Sequence, residues 1–127
     1  MPDGDASIRE RCDSTLAVLK TTIDVADGSA PDVVDAAKKL QYVIVAKLQS
    51  TPPGAEVSDS KYFNLEQALR LFEEKIAAAG LDPSDTPCRP DYNEAMASAD
   101  GATDKAMCGM AYAACLGARF AEYLSGS

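Results

Sequence analysis

Apolar residues recur at three- and four-residue intervals along nearly the whole chain, the period of an amphipathic helix. In the first such stretch, expected over 7–27, Ile8, Cys12, Leu16, Leu19, Ile23 and Ala26 form one face. Ser7 and Glu10 have capping-box spacing, and Gly28 stands where a helix terminus favours positive φ. The second helix is expected over 30–49, with Ser29 as N-cap and Pro31 in the first turn. Its stripe is Val33, Ala37, Leu40, Ile44 and Leu48. Tyr42 and Val45 widen it toward a second neighbour. The YVIVA run resembles a strand, but its flanks favour helix. Thr51-Pro52-Pro53-Gly54 ends it.

The third helix is expected over 61–79. Leu65, Leu69, Phe72, Ile76 and Ala79 make its core face, Asn64 and Gln67 offer a capping pair, and Gly80 terminates it. A proline-rich loop carrying Cys88 follows, then a short helix over 91–99 begun by the Asp91/Glu94 pair. The last helix is expected over 102–124, capped by Asp100 or Thr103. Its ridge of Gly109, Ala113, Gly117 and Ala121 lets a neighbour approach closely, and Lys105, Arg119 and Glu122 argue against a membrane helix. The predicted fold is all-α: an antiparallel bundle of four principal helices with a short helix in the third connection. One domain spans 1–127, with a flexible lead-in over 1–6.

The 46% apolar and 25% charged composition is that of a globular protein. The net charge of −8 is spread evenly, with ten acidic and six basic residues in 1–60 and the same in 61–127. No basic patch invites nucleic acid, and dispersed carboxylates read as a solvated surface rather than a DNA mimic. No stretch reaches transmembrane length, and MPDGDASIRER has no apolar signal core.

The four cysteines, Cys12, Cys88, Cys108 and Cys115, allow three pairings. Cys108 and Cys115 rise about 10.5 Å apart on one helix, beyond the roughly 7 Å that a disulfide spans. The preferred set is Cys12–Cys115 with Cys88–Cys108, which has the first and last helices running antiparallel. The other set is Cys12–Cys108 with Cys88–Cys115. A single bridge or fully reduced thiols stay open, since Cys12 lies in a core stripe where a thiol is a small hydrophobe. Formed bridges place the protein outside the cytoplasm, periplasmic or secreted; reduced cysteines place it in the cytoplasm. The wide spacing argues against zinc.

With no histidine, Ser-His-Asp and Cys-His catalysis are excluded. Residues 100–104 lack the ligand pattern of a calcium loop. Glu73 and Glu74 read as solvated surface, and Asp82 and Asp85 as turn residues. The expected function is therefore non-enzymatic: an extracytoplasmic binding protein, such as an inhibitor or immunity protein, facing a partner with a basic cleft. No cofactor or metal is expected. The candidate contacts are Tyr62, Asp82, Asp85, Arg89 and Tyr92, within the segments 51–62 and 82–92. Loops there, held by proline or disulfide, lose little entropy on binding. One alternative is a small-molecule or lipid carrier with a cavity lined by Met96, Met107 and Met110; another is a cytosolic adaptor or effector.

Overall fold

The computed structural model describes residues 4–52 and 55–126. Five α-helices form in chain order: α1 (Gly4–Ala26), α2 (Pro31–Val43), α3 (Asp59–Ala78), α4 (Cys88–Ser98) and α5 (Gly101–Gly126). α2 continues as a π-helical turn, Ile44–Gln49, and a 3₁₀ turn, Pro83–Asp85, leads into α4. The principal helices are α1, α2, α3 and α5, with α4 as the short helix in the third connection. No strand occurs among the described residues.

The predicted stripes are the core. Leu19, Leu40, Ile44, Leu48, Leu65, Phe72, Ile76, Leu116 and Phe120 are all fully buried in one contiguous cluster, and each contributes about 1.5–3 kcal/mol. The small ridge of α5 also acts as expected. A Cβ at Gly117 would stand 2.8 Å from Thr22 Oγ1 of α1, so glycine sets how closely these two helices pack.

Consecutive helices alternate in direction, but α4 makes one of those passes outside the core, against α5. α5 therefore returns parallel to α1 and α3. Cys12 and Thr15 meet Met110, while Thr22 meets Gly117. Leu65 likewise faces Gly109, and Phe72 faces Gly117. The expected antiparallel first and last helices are thus corrected, because the short helix supplies a full return pass.

Several helix ends differ from expectation. α1 begins at Gly4, so 4–6 are helical rather than a lead-in and Ser7 lies inside the helix; 1–3 fall outside the described residues. Ala30, not Ser29, is the α2 N-cap and has no side-chain cap; it packs into the core after Gly28 (φ 83°) turns the chain. Ser58 caps α3 by accepting from the Lys61 N–H at 3.2 Å. At the other end of α3, Gly80 (φ 116°) forms a Schellman closure, with Gly80 N–H on Ala77 and Leu81 N–H on Ile76. Thr103 does not cap α5. Its hydroxyl accepts from the Val57 N–H at 2.9 Å and ties the segment before α3 to α5. Asp104 instead reaches back to the Asp100 N–H.

Tyr42 and Val45 do not bury against a second neighbour; they are 70% and 48% exposed. The wider π turn keeps Ile44 and Leu48 on the core and leaves these two outside. Ser50 and Thr51 hydroxyls satisfy the Ala46 and Lys47 carbonyls where the turn ends; Pro53 and Gly54 lie outside the described residues.

Candidate functional site

α3 and α4 face each other across a cleft of about 530 Å³ floored by α5. On α3, Glu66, Arg70 and Glu74 stand at four-residue spacing as one wall, with Leu69 and Glu73 a step inward. On α4, Arg89, Tyr92, Asn93 and Met96 share a face by the same period. Tyr112 of α5 closes the floor and is only 3% exposed.

One carboxylate organises the cleft. Glu73 Oε2 accepts from Arg89 Nη1 at 2.5 Å and from the Tyr112 hydroxyl. The Tyr92 ring stacks on Tyr112 with centroids 4.5 Å apart and 18° between planes. The Arg89 guanidinium carbon lies 5.8 Å from both ring centroids, within cation–π range. Burial, and then the hydrogen bond to Glu73, push the Tyr112 phenol well above its ordinary range. Burial and the neighbouring Tyr92 do the same to Tyr62, whose hydroxyl reaches Glu66 Oε2 at 3.4 Å. These tyrosines are therefore neutral hydrogen-bond donors throughout the physiological range. Arg70 pairs with Glu66 at 3.5 Å, whereas Glu74 stands exposed at the rim with no ion pair among the described residues.

The structure thus brings two of the five candidate residues, Arg89 and Tyr92, into one cleft, with Tyr62 beside it through its hydroxyl on Glu66. It leaves the other two outside. Asp82 caps the 3₁₀ turn by accepting from the Ser84 N–H at 2.9 Å, and Asp85 is exposed on the same turn. Glu73 is a correction: it is half-buried and bonded, not solvated surface. Its signal was the spacing of Tyr62, Glu66, Leu69 and Glu73, which makes a second, polar-edged stripe on α3. The methionines do not share a cavity: Met96 lines this cleft, while Met110 is buried and accepts the Cys12 thiol at 3.7 Å.

A single disulfide joins Cys88 to Cys115, with Cα atoms 5.7 Å apart, and Cys12 and Cys108 are free thiols. This corrects both preferred bridges, Cys12–Cys115 and Cys88–Cys108. Cys12 is wholly buried beside Met110 on a helix parallel to α5, about 7.5 Å of helical rise short of Cys115. Cys88 is not in a loop reaching the α5 start. Pro90 falls in the first turn of α4, where no backbone donor is needed, so the helix already begins at Cys88. Antiparallel packing then sets Cys88 beside Cys115, Tyr92 beside Tyr112, and Ala95 toward Cys108. The bridge holds the start of α4, and with it Arg89, against the bundle.

No helix among the described residues is long and apolar enough to cross a membrane, and no group of three potential ligands is placed to hold a metal ion. Comparison with family models, curated proteins and solved structures returns no match.

Proposed function

We propose that the protein is a non-enzymatic binding protein that engages a protein partner through the α3–α4 cleft. The observation carrying this reading is the locked Tyr92–Tyr112 pair, stacked at 4.5 Å and fastened by Arg89, Glu73 and the neighbouring disulfide. Such a surface loses little entropy when a partner docks, and tyrosine and arginine are the residue types that dominate interface energetics. The exposed Glu74 at the rim, on a chain of net charge −8, favours a partner that brings a basic side chain. The Cys88–Cys115 bridge supports action in an oxidising compartment, periplasmic or secreted, in the manner of an inhibitor or immunity protein.

Cross-linking capture from the native compartment tests this, comparing the wild type with folded Tyr92→Ala and Glu74→Lys variants. The expected result is one protein captured by the wild type and lost with both variants. Equal capture by all three proteins overturns the reading.

A further inference from the structure

Three of the four cysteines share a second cleft, of about 250 Å³, between α4 and α5. Its lining includes the bonded pair Cys88 and Cys115, the free thiol Cys108, and the small residues Ala95 and Ala111. Tyr92 and Tyr112 line this cleft as well as the α3–α4 cleft, so one aromatic stack is the wall between them.

We infer that Cys108 exchanges with the Cys88–Cys115 disulfide, and that the resulting Cys88–Cys108 bond dismantles the tyrosine cleft. This inference rests on the reading of that cleft as the binding surface. The exchange runs through a small thiol such as glutathione, because Cys108 and Cys115 stand about 10.5 Å apart along α5 and do not flank the Cys88 sulfur in line. The small thiol gives up its proton and its sulfur bonds the Cys88 sulfur; the Cys88–Cys115 bond breaks, and Cys115 leaves as a thiolate that takes up a proton. Cys108 then gives up its proton and its sulfur bonds Cys88, releasing the small thiolate, which takes up a proton. The small thiol is returned, and one protein disulfide and one protein thiol stand before and after, so no oxidant or reductant is consumed.

The first turn of α4 is what has to yield. Its entry contact is the Asp91 N–H on the Pro87 carbonyl at 3.3 Å, and Pro90 has no N–H to add another. Four residues unwound from Cys88 to Asp91 span about 13 Å, enough to bring Cys88 to the level of Cys108. Unwinding carries Arg89 away from Glu73 and removes the helical turn that seats Tyr92 on Tyr112. The bond partner of Cys88 thus decides whether the cleft is assembled.

Bond mapping on the intact protein tests this. Cyanogen bromide cuts after Met96, Met107 and Met110, which separates Cys88, Cys108 and Cys115 from one another, in acid that stops further exchange. After incubation with a trace of reduced glutathione, a Cys88–Cys108 fragment is expected beside Cys88–Cys115, rising to a constant fraction and absent from Cys108→Ser. A Cys115→Ser protein treated with glutathione disulfide as oxidant is expected to close the Cys88–Cys108 bond, losing the mass of two hydrogens, and to lose the near-ultraviolet dichroism of its stacked tyrosines; the chain has no Trp to obscure that signal. Finding only Cys88–Cys115 in the wild type, or an unchanged tyrosine signal in the rebonded variant, overturns the inference. Both readouts need no partner, so they stand apart from the capture experiment, whose failure alone would remove the binding reading.

Discussion

Tyr112, buried on α5, donates its hydroxyl hydrogen to Glu73 on α3, and the same carboxylate oxygen takes the Arg89 guanidinium at 2.5 Å. A single side chain therefore fastens α3, α4 and α5. Glu73→Ala leaves a buried hydroxyl and a cation without their acceptor, at an expected cost of about 2–3 kcal/mol. Glu73→Gln keeps a neutral acceptor and is expected to cost about 1 kcal/mol. Urea denaturation of both variants checks the order; equal losses would show that a neutral acceptor retains nothing and that the carboxylate charge carries the whole effect.

Reduction of Cys88–Cys115, a link across 27 residues, is expected to remove about 3–4 kcal/mol of stability. Beyond that global loss, α4 gains local openings, because the bridge ties its first turn to α5. Amide hydrogen exchange in α4 should therefore accelerate more than in α1 or α2. Uniform acceleration over all five helices would contradict a bridge that braces only the α4 edge.

The two core glycines of α5 are expected to respond differently to alanine. At Gly117 the new Cβ meets Thr22 Oγ1 at 2.8 Å, and that hydroxyl is itself bonded to the Val18 carbonyl on tightly packed α1. Gly117→Ala should cost about 1–3 kcal/mol. At Gly109 the nearest atom is Leu65 Cδ2 at 3.3 Å, a side-chain methyl that can give. The gain of about 1 kcal/mol in helix propensity then leaves Gly109→Ala near neutral. Thermal melts of the pair decide it.

Burial, and next the charge of Asp13, push the Cys12 thiol from 9.0 up to about 11, against a smaller opposing effect of Arg9. The fold holds the protonated form, so its contribution is complete below the unfolded value and is lost as pH rises through the folded one. Stability should fall by about 2–3 kcal/mol between pH ~9 and ~11. Cys12→Ala in a Cys108→Ser background should flatten that slope relative to Cys108→Ser alone. The raised tyrosines act in the same direction but are common to both proteins, so their difference isolates Cys12.

Helix periodicity carried most of the fold. The stripes through Leu19, Leu40, Phe72 and Phe120 were legible because burial and the 3.6-residue repeat coincide there. What stayed hidden was set by neighbours. The start of α4 could not be read, because Cys88-Arg89-Pro90 is as compatible with a loop as with a first helical turn. That one turn decides the disulfide, since it carries Cys88 away from Cys108. Glu73 was equally opaque: its partners lie 16 and 39 residues away, on helices whose relative directions the local pattern does not specify. Tyr62, Arg89 and Tyr92 were accessible as candidates because each flanks a break between helices, where surfaces tend to meet.

The outside pass of α4 also bears on how the chain folds. Because α5 comes home beside α1, the contacts of Cys12 and Thr15 with Met110 close across 98 and 95 residues. A bundle built only from sequential hairpins would form by short loop closures. Here the most extensive interface must await the encounter of distant segments, so the chain should fold more slowly than other helical bundles of its size, with the α1–α2 and α4–α5 hairpins forming ahead of the core they later enclose.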